Sequence, residues 1–78
     1  MHEWLELARA RLADAVGAAP GDYDLTQQEV YELLELARVA AHESGERTNA
    51  PLICYLVGLA RGRHGSALTE LVDASVAK

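Results

Sequence analysis

Four side chains with chemical potential share one spacing: Tyr31, Glu35, Arg38 and His42 stand at i, i+4, i+7 and i+11. At about 100° per residue these positions fall in a narrow arc on one flank of a helix. Two readings fit. In the first, Glu35 and Arg38 form a surface ion pair and His42 sits near a helix C-terminus, where its cationic form is favoured. In the second, the four make a recognition stripe, with Arg38 offering a forked donor set and His42 a titratable one. Arg47 and Asn49 follow in the next connection. If they converge with His42 on the start of the following helix, its backbone N–H groups would suit a phosphate or carboxylate. Pro51 removes one of those donors. The candidate binding residues are therefore Tyr31, Arg38, His42, Arg47 and Asn49.

Other chemistries find less support. Cys54 lies within the apolar run Leu52–Ala60, as expected for an inert core thiol. His2, His42 and His64 lack metal-ligand spacing, so neither a metal nor a cofactor is expected. No nucleophile–base motif and no phosphate-binding glycine loop is present. A chain of 78 residues leaves little room for a deep, water-excluding pocket, which points to a non-enzymatic domain. An acyl carrier protein would carry its phosphopantetheine on a serine opening the second helix. Thr26 stands there instead, and Ser66 comes too late in the chain.

Charge narrows the partners. The chain carries twelve acidic residues against seven basic ones, net −5. Such a balance does not suit a phosphate backbone, so nucleic acid is not an expected partner. The distribution is uneven. Residues 1–36 hold two arginines against eight carboxylates, net −6, while residues 37–65 hold four arginines against two, net +2. This basic island suits an acidic protein surface or a small anion, or is simply a solvated face. The N-terminus lacks a basic segment leading into an apolar run, and no apolar stretch approaches the ~20 residues that span a bilayer. A cytoplasmic location without membrane contact is expected, and a single cysteine makes no intramolecular disulfide.

The elements that must position these residues read as four helices, at about 3–17, 27–44, 51–61 and 67–76. In the first, Trp4, Leu5, Ala8, Leu12, Ala15 and Val16 form an apolar face, stopped by Gly17-Ala18-Ala19-Pro20-Gly21. In the second, Thr26-Gln27-Gln28-Glu29 has the form of a capping box, Gly45 is a natural C-terminal cap, and Val30, Leu33, Leu34, Ala37 and Ala41 predict the buried face. The third begins near Pro51 and is apolar almost all round, which predicts a central, buried helix. Arg61-Gly62-Arg63-His64-Gly65 reads as a turn, and Ser66 as the cap of a fourth helix that buries Leu68, Leu71, Val72 and Val76. The expectation is a compact all-α four-helix bundle, with residues 1–78 as a single domain. Its oligomeric state is open.

The stretch Leu36-Ala37-Arg38-Val39-Ala40-Ala41-His42, then Arg47, Ala50-Pro51-Leu52 and Leu56-Val57-Gly58-Leu59-Ala60-Arg61-Gly62, resembles a small helical domain of unknown function from high-GC bacteria. Trp4 and the acidic Asp22-Tyr23-Asp24 also fit that pattern. Asn49 and the segment Glu43-Ser44-Gly45-Glu46 depart from it. Domains of that kind occur alone, or fused to or encoded near guanylyltransferases of molybdenum cofactor biosynthesis. The resemblance therefore implies an accessory role beside such an enzyme, with no established activity. Of the motif residues, Pro51 and Gly58 have structural explanations, which leaves Arg38, His42 and Arg47 as its candidate contacts.

Overall fold

A computed structural model describes residues 3–19 and 21–76. His2 and Pro20 lie outside the described residues. The chain forms α1 (Glu3–Ala15), α2 (Gln27–Ser44), α3 (Asn49–His64) and α4 (Leu68–Ser75), with no strand among the described residues. It is all-α, as the periodicity predicts. It divides into two units, Met1–Val30 and Tyr31–Lys78. None of the described helices is long and apolar enough to cross a membrane.

In the first unit, α1 ends two residues earlier than its apolar spacing suggests, because the backbone turns left-handed at Gly17, φ +71°. There the Gly17 N–H donates to the Asp14 carbonyl at 3.2 Å and the Ala18 N–H to the Ala13 carbonyl at 2.8 Å. This double bond pattern satisfies the last free carbonyls of the helix. The loop then folds on itself. Asp22 accepts the Ala19 N–H on its carboxylate at 3.1 Å and donates its own N–H to the Ala19 carbonyl at 3.0 Å. Arg9 Nε lies 2.9 Å from Asp24 Oδ1, tying the loop to α1.

α2 occupies the predicted residues because both of its ends are chemically specified. The Thr26 N–H donates to Glu29 Oε1 at 2.8 Å, and the Glu29 N–H donates to Thr26 Oγ1 at 3.1 Å. These two bonds are the reciprocal arms of a capping box. At the other end Gly45 is left-handed, φ +73°, and its N–H donates to the Ala41 carbonyl at 3.0 Å.

The buried face of α2 is rotated from the predicted one, whose Val30, Leu33, Ala37 and Ala41 are half-buried. Leu36 and Ala40 are buried and Leu33 is half-buried, whereas Leu34 is 67% exposed. Apolar residues run almost unbroken from Leu33 to Ala41, so their spacing alone does not choose a face. Tertiary contacts choose it. Leu36 packs with Val57, Leu68 and Val72, bordered by Leu33, Ile53, Cys54, Leu71 and Val76. Thr69 Oγ1 also donates to Glu32 Oε1 at 2.6 Å, holding the first turn of α4 to α2.

α3 is longer than predicted at both ends. The Asn49 N–H donates to the Glu46 carbonyl and the Ala50 N–H to the Arg47 carbonyl, each at 3.1 Å, so the helix starts before Pro51. Gly62 does not end it. An interior glycine costs about 1 kcal/mol but gives no stop signal unless it turns left-handed. That step comes at Gly65, φ +68°, whose N–H donates to the Arg61 carbonyl at 2.8 Å. The predicted turn at 61–65 is thus a last helical turn, and its Arg61, Arg63 and His64 suit the negative end of the dipole.

Nor is α3 enclosed. It packs against α4 and buries Val57, but Leu52, Tyr55 and Leu56 are 60%, 66% and 56% exposed. Cys54 borders the core; its thiol donates weakly to the Leu33 carbonyl at 3.9 Å, and burial pushes its pKa up. α4 begins after Ala67 without a side-chain cap, so Ser66 does not take the predicted role. Leu68 and Val72 are buried as predicted.

Three outcomes follow. Leu36→Ala should cost about 2–4 kcal/mol in urea unfolding, through lost contacts and the cavity left among Val57, Leu68 and Val72. Thr26→Ala should cost about 1 kcal/mol by the same measurement, while Ser66→Ala stays within about 0.5 kcal/mol. Cys54 should react slowly with a disulfide reagent near pH 8 and fast once urea unfolds the chain. Because the folded thiol holds its proton more tightly, this group's contribution is intact below the unfolded thiol pKa. It should decline as pH rises toward the folded value, and Cys54→Ser should flatten that decline.

Candidate functional site

Helix geometry sets Tyr31, Glu35, Arg38 and His42 along the side of α2 away from Leu36 and Ala40. Leu34 shares that side, one turn after Tyr31 and one before Arg38. Tyr31 is 62% exposed, and Arg38 and His42 are also open to solvent. Within the stripe, Glu35 and Arg38 are joined. Arg38 Nη2 donates to Glu35 Oε2 at 2.9 Å and Nε to Oε1 at 3.2 Å, a fork-to-fork pair. These hydrogen bonds, and then the Glu35 charge, raise the guanidinium pKa above its ordinary value. The pair orients the guanidinium along the helix surface without burying it. His42 is in the last turn of α2.

Arg47 and Asn49 stand apart from this face, past the left-handed turn at Gly45. Arg47 is exposed in the connection and Asn49, half-buried, opens α3. The segment is organised locally: Ser44 Oγ accepts the Glu46 N–H at 3.2 Å and donates to the Glu46 carbonyl at 3.3 Å. At the start of α3 the Asn49 and Ala50 N–H groups are engaged with the Glu46 and Arg47 carbonyls, and Pro51 has none. Two of the donors that an anion would use are therefore already committed, and Pro51 removes a third.

Two features escaped the sequence reading. Leu34 was assigned to the core, although its place one turn from both Tyr31 and Arg38 also puts it beside the polar stripe. The other is an open cleft of about 320 Å³ within the first unit, lined by Leu5, Ala8 and Leu12 of α1, by Tyr23 and Leu25 of the loop, and by Arg9. The i, i+3, i+7 spacing of Leu5, Ala8 and Leu12 signals one apolar wall. The loop that supplies the other could not be placed without the Arg9–Asp24 ion pair. The cleft is apolar, and its one charged lining residue, Arg9, is paired with Asp24, so it offers shape rather than acid–base chemistry. Among the described residues no three His, Cys, Asp or Glu side chains gather as a metal site.

No curated protein and no solved structure matches the chain. A family model does match, along residues 1–78: the chain belongs to the domain of unknown function DUF6457.

Proposed function

We propose that this chain is a non-catalytic accessory domain that docks a protein partner on the outer face of α2. The observation that carries this reading is the exposure of Tyr31 and Leu34 beside an ion-paired Arg38, on the side of the helix turned from its own core. Tyrosine and arginine are the side chains enriched at interface hot spots, where a few anchors carry most of the binding energy. Leu34 adds apolar area between them. A cation held by Glu35 is oriented before the partner arrives, so less side-chain entropy is lost on docking. The complementary partner surface is an apolar depression rimmed by carboxylates that meet Arg38 and His42, with Arg47 and Asn49 at the margin.

The resemblance to domains fused to or encoded near molybdenum cofactor guanylyltransferases makes such an enzyme the first partner to try. The alternative, a small-anion or nucleotide module at the junction of α2 and α3, has less support, since the Asn49 and Ala50 N–H groups are already bonded and Pro51 has none.

Isothermal titration of the full chain into the guanylyltransferase tests the proposal. Saturable binding is expected, weakened about tenfold by Leu34→Ala and by Arg38→Ala, with unchanged melting of the free variants. It should also weaken with added salt. A flat titration, or binding indifferent to both substitutions, rejects the reading.

A further inference from the structure

α3 has two apolar sides. Val57, with Ile53 and Cys54, faces the core. Leu52, Tyr55, Leu56 and Leu59 follow at i, i+3, i+4 and i+7, a second stripe centred roughly opposite Val57 at about 100° per residue. Three of these four are more than half exposed, and Leu59 is half-buried. From this we infer that α3 is a self-association surface, on which two copies of the chain pair antiparallel about a two-fold axis.

The occupant is argued from symmetry, charge and size. A two-fold interface must map one patch onto itself. The stripe is centred between Tyr55 and Leu56, close to the midpoint of Asn49–His64. An axis there sets Leu52 against Leu59 and Tyr55 against Leu56 of the second copy. Charge selects the antiparallel sense. α3 contains no acidic residue and ends in Arg61, Arg63 and His64, while the last turn of α2 and the connection leading into α3 carry Glu43 and Glu46 against His42 and Arg47. Antiparallel pairing brings the cationic end of each helix toward the carboxylates of the other and opposes the two dipoles; parallel pairing would set like against like. On the flank of the stripe beside Tyr55, Gly58 and Gly62 are exposed, and a Cβ at either would meet no atom within 4 Å, so backbone can approach closely there.

Size sets the strength. Sixteen residues make a helix about 24 Å long, and one such stripe covers less than the ~800 Å² per partner of a standard interface. The pairing is therefore reversible and concentration-dependent rather than obligate. It uses a different face from the α2 stripe, so the two associations are separable by mutation.

Sedimentation equilibrium of the full chain provides the test. The mass should rise from 8.4 kDa toward twice that value with concentration. Tyr55→Glu should hold the chain at the monomer mass with unchanged helical circular dichroism, because Tyr55 is exposed. Arg63→Glu should weaken the dimer about threefold, and adding Glu46→Arg to it should restore the affinity. A monomer at every concentration up to roughly 0.5 mM, or a dimer that survives Tyr55→Glu, overturns the inference. A charge swap that does not restore affinity overturns the antiparallel arrangement.

Discussion

Leu36 is the one large side chain among the described residues that is completely buried, and the second unit is organised around it. Its contacts with Val57, Leu68 and Val72 bring α2, α3 and α4 onto a single point. A helix with apolar residues on several sides can rotate among nearly equivalent packings, and one well-filled site removes that freedom. The Thr69–Glu32 hydrogen bond acts in the same direction, since it forms only when Glu32 turns toward α4. The rotation fixed by these two contacts is what places Tyr31, Leu34, Arg38 and His42 outward. The candidate docking face is thus a consequence of the core: a different packing of α2 would expose Leu36 and bury Leu34.

What could be read from the sequence was local chemistry. The capping box at Thr26–Glu29 and the left-handed cap at Gly45 are each specified by residues a few positions apart, and the ends of α2 follow them. The Glu35–Arg38 pair belongs to the same class, because i, i+3 neighbours meet wherever the helix forms. Choices that depend on distant partners were not legible. The spacing of α2 admitted several buried faces, and only packing from α3 and α4 excluded Leu34. The all-round apolar pattern of α3 suggested enclosure because burial is the usual answer to that pattern, yet periodicity cannot say whether the second face is covered within the chain. Gly62 reads as part of a turn in sequence, yet a glycine's effect depends on its φ, which the sequence does not state.

The two apolar faces of the second unit differ in what they can recognise. The α2 face mixes Tyr31 and Leu34 with charges, so a partner must satisfy Arg38 and Glu35 as well as cover apolar area, and desolvating them against the wrong surface is penalised. The α3 stripe is uncharged along its length, with cations only at its end. It gains from any apolar cover and is selective only through the sign of charge at its margins. The first suits a specific heterologous contact, the second a weak, symmetric one.

Both faces also bear on stability. Only six side chains among the described residues are buried outright, and two of them are alanines. Small domains sit near the limit of what burial offsets against conformational entropy, so surface that could be covered matters in proportion. A partner or second copy that binds only the folded state stabilises it by mass action, growing with the logarithm of its concentration. Either proposed association would therefore be linked to folding. A complex formed on either stripe would add burial to that of the six interior side chains.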